Sequence, residues 1–164
     1  MVYFVIALIV FLLDQGVKYL IATQLELGEQ IPVIGQFFVI TSHRNQGAAF
    51  GILEGQRWFF IVITIVVVIA IVWYLRKTSR NGQKLLSVAL SLVLGGAVGN
   101  FLDRAVSGKV VDFAQFTFGT YVFPIFNIAD SAIVIGVALI ILDTLLDSRR
   151  QQPEQVKESE ERNG

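Results

Sequence analysis

The sequence contains no cysteine, only one histidine and few charged residues. The lack of cysteine excludes disulfides, thiol nucleophiles and thiolate metal sites, and a single histidine excludes a metal site built from several histidines. Only 16% of the residues are charged, whereas a soluble domain carries about 25%. The formal net charge is zero, so the chain offers no basic field that would attract nucleic acid. We therefore expect no nucleic-acid partner.

What the chain has instead is long apolar runs. Of its 164 residues, 54% are hydrophobic, and the mean hydropathy is +0.66. A helix needs about 20 residues to cross a hydrocarbon core of about 30 Å, and four runs approach this length. We predict a membrane all-α fold with four transmembrane helices, over residues 2–22, 58–75, 85–104 and 128–146. A secretory signal is a weaker interpretation of the first run, since no Lys or Arg precedes it.

The segments between these runs differ from one another. Residues 25–57 contain short bursts of β-branched and aromatic residues separated by glycines, a pattern that predicts a small β-sheet. Residues 105–127 are predicted to form a loop that carries Asp112. Residues 149–164 are polar and of mixed charge, and we expect a disordered tail after a single membrane domain over residues 1–148.

The basic residues predict how the spans are oriented. They cluster between the second and third runs, as Arg76, Lys77, Arg80 and Lys84, and after the fourth run, as Arg149 and Arg150. With an even number of spans these two clusters lie on one side, and the positive-inside rule makes that side cytoplasmic. Both termini would then be cytoplasmic, and the two longer connections would face outward.

Two carboxylates in strongly apolar surroundings, Asp112 and Asp130, are the main candidates for chemistry. A charge at membrane depth costs about 2.5–3.5 kcal/mol on insertion scales, so such a residue is by default a functional candidate. The favourable helix dipole at the start of the fourth span offers Asp130 only about 0.3–1 kcal/mol. If the two carboxylates face each other, they form an acid/base pair.

Further polar residues accompany the apolar runs at helical spacing. Asp14 and Lys18 are four residues apart and share a helix face, so they form either a neutralising ion pair or a contact to substrate. Asn100 and Arg104 also share a face, and we predict that they line the site while Asp103 braces it. Arg104 could pair with Asp103, with Asp14 or with a lipid phosphate.

Three other positions complete the candidate set. Asn127 is placed to cap the fourth helix, or to hold a peptide carbonyl or the carboxylate pair. Asn45 precedes Gly47 in a stretch of small residues that allows close approach of the backbone to a ligand. His43 follows Ser42, but no G-x-S-x-G motif is present and we expect a surface residue.

Two alternative functions fit the same residues. A proton-coupled transporter could use Asp14, Asp103 and Asp130 as a relay, although the polar residues gather at one membrane face. A non-catalytic membrane assembly subunit could use the polar clusters to hold its helices together. An ion-flux assay in vesicles would identify the transporter, and tolerance of Asp→Asn changes would identify the assembly subunit.

Five motifs occur in one order along nearly the whole chain except the tail. They are Asp14-Gln15-x-x-Lys18, Asn45-x-Gly47-Ala48-Ala49-Phe50-Gly51, Gly95-Gly96-Ala97-x-Gly99-Asn100-x-x-Asp103-Arg104, Val110-Val111-Asp112-Phe113 and Phe123-Pro124-x-Phe126-Asn127-x-Ala129-Asp130-Ser131. With these motifs the chain resembles the bacterial lipoprotein signal peptidases, also called type II signal peptidases. Each motif alone is weak, and together they are highly specific.

The resemblance implies a fold, an activity and a location. It implies four transmembrane helices with a small extracytoplasmic β-cradle in the bacterial cytoplasmic membrane, and no metal. We also expect no cofactor, membrane lipid as a partner, and a monomer. It assigns Asp112 and Asp130 as the catalytic pair of an aspartic endopeptidase. The implied reaction removes the signal peptide of a diacylglyceryl-modified prolipoprotein just before its lipidated cysteine, and globomycin-type inhibitors are expected to occupy the same cleft.

Overall fold

Four long apolar helices form the body of the protein. The computed structural model describes residues 1–47 and 55–163, with side chains described as far as residue 148. The helices are α1 (Val2–Gln24), α2 (Arg57–Arg80), α3 (Lys84–Ser107) and α4 (Ile128–Asn163), the apolar part of α4 being Ile128–Ser148. In this part of the chain, all four are long and apolar enough to cross a membrane, which confirms the predicted class.

The last helix runs further than the sequence predicted. We expected disorder over residues 149–164, but α4 continues through the polar tail to Asn163. The physical reason lies in the composition, because the tail is rich in Glu, Gln, Lys and Arg, which are good helix formers. The polar tail therefore extends the last span as helix.

Helix α3 is the centre of the bundle. About 61% of its apolar stretch is buried within the protein, against 22% in α1, 11% in α2 and 17% in α4. The close approach of its neighbours depends on three glycines of α3. A Cβ atom on Gly95 would lie 2.6 Å from the Ala7 carbonyl oxygen of α1. A Cβ atom on Gly96 would collide with the Ala129 carbonyl oxygen, and one on Gly99 would lie 2.6 Å from Asp14 Oδ2. Glycine at these positions therefore lets α1 and α4 pack directly on the α3 backbone.

A small antiparallel sheet completes the fold. Its strands β1 (Gln30–Ile34), β2 (Phe38–Asn45), β3 (Val110–Phe118) and β4 (Tyr121–Val122) follow the order β1-β2-β3-β4. The predicted sheet in residues 25–57 is confirmed, but it supplies only β1 and β2. The prediction of a loop over residues 105–127 is wrong, because β3 and β4 lie there. Along β3, every second residue from Val110 to Ala114 is buried, including Asp112. This alternation was not recognised in the sequence, because Asp is rare in strands.

The sheet lies at one end of the bundle. One pair of strands connects α1 to α2, and the other connects α3 to α4. Because successive spans alternate in direction, the C-terminal ends of α1 and α3 meet the N-terminal ends of α2 and α4 at this end. The short turn between α2 and α3, around Asn81, is at the opposite end. Residues on β2, β3 and the start of α4 can therefore converge on one site.

Candidate active site

The chain brings Asp112 and Asp130 together by folding back on β3. Asp112 lies on the buried face of the strand. The segment after β4 returns antiparallel to β3, and the Phe126 carbonyl accepts hydrogen bonds from the backbone N–H groups of Phe113, at 3.1 Å, and Ala114, at 2.8 Å. The next residue, Asn127, directly precedes α4, and Asp130 lies in the first turn of that helix. The alignment of this returning segment with β3 therefore sets the positions of both carboxylates.

Stacked aromatic rings hold the returning segment against the sheet. The Phe126 ring stacks on Phe116 with 5.9 Å between centroids, and Phe116 stacks on Phe38 of the neighbouring strand at 4.7 Å. Phe123 meets Phe126 edge to face at 6.0 Å. Such pairs contribute about 0.5–1.5 kcal/mol each beyond the area that they bury. They fix the point at which α4 begins.

Asn127 joins the two carboxylates and caps α4 at the same time. Its Oδ1 accepts from the backbone N–H of Asp130 at 2.9 Å, while its own backbone N–H donates to Asp130 Oδ2 at 3.2 Å, a reciprocal capping arrangement. Its Nδ2 donates to Asp112 Oδ1 at 2.7 Å. Of the three sequence interpretations of Asn127, the helix cap and the holder of the carboxylate pair both describe its contacts, and the hold on a peptide carbonyl stays a prediction.

Two further asparagines donate to the remaining carboxylate oxygens. Asn45 Nδ2 on β2 donates to Asp112 Oδ2 at 2.9 Å, and Asn100 Nδ2 on α3 donates to Asp130 Oδ1 at 2.7 Å. Each of the four carboxylate oxygens thus accepts a hydrogen bond from a different nitrogen. This pattern holds both side chains in defined orientations on one wall of a cleft.

The cleft has a volume of about 920 Å³ and is mainly apolar. Both carboxylates line it, together with Asn45, Gly47 and Arg104. Its apolar wall is made by the chain preceding α4 and by the first turns of that helix: Phe123, Pro124, Ile125, Phe126, Ile133, Val134 and Ile135. We call the polar lining residues the polar floor of the cleft, and a polar floor beside an apolar wall is suited to a ligand that has a polar part and a hydrocarbon part.

A buried lysine lies behind this floor. Lys18 is 2% exposed and its ammonium is within 2.8 Å of Asp14 Oδ2 and 2.9 Å of Asp103 Oδ2. The predicted pairing of Asp14 with Lys18 is confirmed. Asp103 Oδ2 also accepts from the backbone N–H of Val111 at 3.3 Å, which links α3 to the strand that carries Asp112.

Arg104 has contacts other than those considered from the sequence. Asp103 is bound by Lys18, while Arg104 Nη2 donates to the Gly47 carbonyl oxygen at 3.0 Å. Its guanidinium also lies 4.7 Å from the centroid of the Phe60 ring on α2. These contacts hold the guanidinium at the cleft. The stretch after Gly47, predicted to approach a ligand, falls in residues 48–54, outside the described part of the chain.

Sequence reasoning placed His43 on the surface and missed its position beside the pair. The residue is exposed, but it lines the cleft and is the cross-strand partner of Asp112. His43 and Asn45 are two residues apart on β2, so they share a face of the sheet. That alternation is visible in the sequence, whereas the pairing of β2 with β3 is not.

Comparisons with known proteins point to one family. A family model described as signal peptidase (SPase) II matches residues 6–146. A lipoprotein signal peptidase of Bacillus pumilus (strain SAFR-032) is 55% identical over 150 residues, covering 92% of this chain and 96% of the relative. One of Bacillus subtilis (strain 168) is 53% identical over 155 residues, covering 94% and 100%. A solved bacterial membrane enzyme superposes with a TM-score of 0.83 at 48% identity, covering 90% of this chain and 89% of that one.

The chain belongs to the signal peptidase II family. It is therefore a member of a peptidase family of lipoprotein processing, with four helices long and apolar enough to span a membrane in its described part. The sequence-based recognition of this family is confirmed, and the bacterial relatives agree with a bacterial origin.

In this family member the ionisation of Asp112 is strongly affected by its surroundings. Burial raises the pKa of Asp112 to about 6, and the nearby charge of Asp130 acts in the same direction. Hydrogen bonds from Asn45 and Asn127 and the charge of Lys18 oppose the rise. Asp112 is thus suited to exchange a proton near neutral pH.

The raised pKa predicts a specific pH dependence of stability. Folded protein retains a proton on Asp112 between about pH 3.8 and about pH 6, so stability falls as pH rises through this window. Asp112→Asn cannot ionise. We expect the Tm of the wild type, relative to that of the variant in the same detergent, to fall between about pH 4 and pH 7.5. The corresponding free energy is on the order of 3 kcal/mol, at about 1.4 kcal/mol per pKa unit. Parallel pH dependences would contradict the assignment.

Proposed function

We propose that this chain is an intramembrane aspartic endopeptidase that removes the signal peptide from diacylglyceryl-modified prolipoproteins, cutting just before the lipidated cysteine. The observation that carries the proposal is the meeting of Asp112 and Asp130, from a strand and a helix, in one apolar-walled cleft. The family of the chain supports the substrate class, since its relatives are lipoprotein signal peptidases.

The proposed mechanism uses the two carboxylates as a pair that shares one proton. Because two adjacent carboxylates resist simultaneous ionisation, one is ionised and the other protonated. The ionised carboxylate takes a proton from water, and the resulting hydroxide attacks the scissile carbonyl carbon. The protonated carboxylate donates a hydrogen bond to the developing oxyanion. When the C–N bond breaks, a proton passes to the leaving amine, which is the amino group of the lipidated cysteine.

The polar residues around the pair divide into two proposed roles. Asn45, Asn100 and Asn127 orient the carboxylates, because their amide groups already donate to the carboxylate oxygens. Arg104 lines the cleft and is positioned to hold a carbonyl of the substrate backbone. The apolar wall accepts the diacylglyceryl chains, so that binding energy from the lipid helps to place the peptide bond at the carboxylates.

We place the cleft at the extracytoplasmic face of the cytoplasmic membrane. The end of the bundle opposite the sheet carries Arg76, Lys77, Arg80 and Lys84 around the turn between α2 and α3. The positive-inside rule assigns that end to the cytoplasm, together with both termini. The described residues of one chain bring both carboxylates and their donors together, which supports a monomer as the working unit.

The orientation can be tested by single-cysteine labelling, since the chain has no cysteine of its own. Thr120 lies in the exposed turn between β3 and β4, and Asn81 lies in the exposed turn at the opposite end. With a membrane-impermeant maleimide on intact spheroplasts, we expect Thr120→Cys to react and Asn81→Cys to react only after permeabilisation. The reverse labelling pattern would place the cleft in the cytoplasm.

The catalytic assignment can be tested by isosteric removal of each carboxylate. We expect Asp112→Asn and Asp130→Asn each to lower the cleavage rate by about 10²- to 10⁴-fold, the usual contribution of a general acid or base. Asp147→Asn, an exposed change near the other end of the α4 span, is the matched control and should cleave at the wild-type rate. The cleavage rate is measured by a gel-shift assay, and size-exclusion chromatography checks that each variant is folded. Substantial turnover by either variant of the pair would exclude the mechanism.

The substrate class is tested with one prolipoprotein in two forms, with and without the diacylglyceryl group. We expect purified protein to cleave only the lipidated form, because the hydrocarbon chains supply the binding energy that positions the bond. Globomycin should block the reaction by occupying the cleft, and a chelator should leave it unchanged. Equal cleavage of both forms would remove the role assigned to the apolar wall, and failure to cleave either form would overturn the proposed function.

A further inference from the structure

The buried ammonium of Lys18 donates to three oxygens, and one of them is not a carboxylate. Besides Asp14 and Asp103, Nζ donates to Asn100 Oδ1 at 2.9 Å. An ammonium has three N–H groups and no acceptor, so its hydrogen-bonding capacity is fully used by these three oxygens. The contact to Asn100 links this cluster to the carboxylate pair, because the other end of the same amide donates to Asp130.

The direction of the Asn100 amide follows from its neighbours. Lys18 can only donate, so the amide atom that faces it must be the oxygen, and the same oxygen accepts from Asn127 Nδ2 at 3.3 Å. The NH2 group is thereby directed to Asp130 Oδ1 at 2.7 Å. Rotating the amide by 180° would place donors against donors at Lys18 and an oxygen against the carboxylate. The lysine thus selects the orientation in which Asp130 receives an N–H.

We propose that Lys18 is a positioning residue that acts through Asn100 to hold Asp130 as the ionised member of the pair, which leaves Asp112 to carry the shared proton. The proposal rests on the proposed function. Asp130 receives an N–H from an amide whose oxygen is bound to a cation, and a backbone N–H at the start of a helix. Asp112 receives two side-chain amides, from Asn45 and Asn127, of which only Asn127 also touches Asn100.

The other charged groups around Asp130 do not replace this contact. They are Asp14 on α1, His43 and Arg44 on β2, Asp103 and Arg104 on α3, and Asp112 on β3. Asp14 and Asp103 are occupied by Lys18 and by backbone N–H groups of Ala129 and Val111. The guanidinium of Arg104 is directed to the Gly47 carbonyl oxygen. Hydrogen-bonded contact between a buried cation and Asp130 therefore passes through the amide of Asn100.

In the proposed reaction this assignment gives each carboxylate one role. Asp130 takes the proton from the attacking water. Asp112 donates a hydrogen bond to the oxyanion and passes this proton to the leaving amine when the C–N bond breaks. After cleavage the proton taken from water is on Asp130, and its transfer to Asp112 restores the starting state. Loss of Lys18 should make ionised Asp130 less favourable and so raise the pH at which activity appears.

The test is the pH dependence of kcat for Lys18→Met with the lipidated prolipoprotein. We expect kcat to fall about tenfold. We also expect the acidic limb of the plot of kcat against pH to move up by about one pH unit, which is the effect of losing one hydrogen bond to a charged group. KM should change little, because Lys18 is buried behind the cleft. A purely structural lysine would reduce the yield of folded protein without moving the acidic limb, so an unmoved limb would overturn the proposal.

Lys18→Met leaves Asp14 and Asp103 without their cation, so this variant can fail to fold. Two further variants test the proposal in that case. Lys18→Met/Asp14→Asn keeps the formal charge of the cluster at its original value, and the amide oxygen that it introduces on α1 can still accept from the Ala129 N–H. Asn100→Asp keeps an acceptor for Lys18 and removes the N–H from Asp130. In both we expect the acidic limb to move upward, and an unchanged limb in either folded variant would contradict the proposed role.

The control is Lys109→Met, which makes the same chemical change at an exposed lysine next to β3. It should give the wild-type kcat and pH profile. Cleavage by the wild-type protein distinguishes failure of the proposed function from failure of the proposed role of Lys18. If it does not cleave lipidated prolipoprotein, the proposed function fails, whereas a cleaving wild type with an unshifted Lys18→Met profile removes only the role of Lys18.

Discussion

The site depends on the buried ammonium of Lys18, whose hydrogen-bond partners come from several elements. Lys18 is almost completely removed from water, and an unpaired charge there would be very unfavourable. The oxygen atoms that accept hydrogen bonds from its ammonium must therefore be held in place. Asp14 receives the Ala129 N–H of α4 at 2.8 Å, and Asp103 receives the Val111 N–H of β3. The cluster thereby ties α1, α3, α4 and the sheet together. Breaking such a buried pair by removing one partner costs about 3–5 kcal/mol.

Asparagine is the residue type that connects this cation to the two carboxylates. An amide accepts at one end and donates at the other, so it can lie between an ammonium and a carboxylate, which neither a second lysine nor a second aspartate could do. Asn100 has this role on α3, and Asn127 bridges Asn100 and Asp112 while capping α4. In a poorly hydrated interior such a chain is stable only when every member is satisfied. The backbone position of α4 and the orientation of the carboxylates are therefore coupled.

The sequence predicts the features that follow from the hydrophobicity of a membrane or from the spacing of residues along one helix. Four spans follow from hydropathy because a helix satisfies all the backbone hydrogen bonds of a single segment in a hydrocarbon core. The pair of Asp14 with Lys18 follows from a spacing of four. Strand β3 was missed because Asp112 interrupts its apolar alternation, and its partner β2 lies more than sixty residues earlier in the chain. The partner of Asp103 was also missed, since spacing along one helix does not reveal which neighbouring helix offers a cation.

The location of the carboxylates also bears on the proposed substrate. Asp112 lies on the sheet, and Asp130 lies in the first turn of a helix that is long and apolar enough to span a membrane. In the orientation that we propose, the cleft lies at the boundary between hydrocarbon and water. A peptide with one lipidated residue brings its acyl chains into hydrocarbon and its adjacent peptide bond to this same boundary. The apolar wall from Ile133 to Ile135 continues directly from the polar floor. Positioning by the lipid, rather than by side-chain pockets along the peptide, would let one cleft process signal peptides of different sequence.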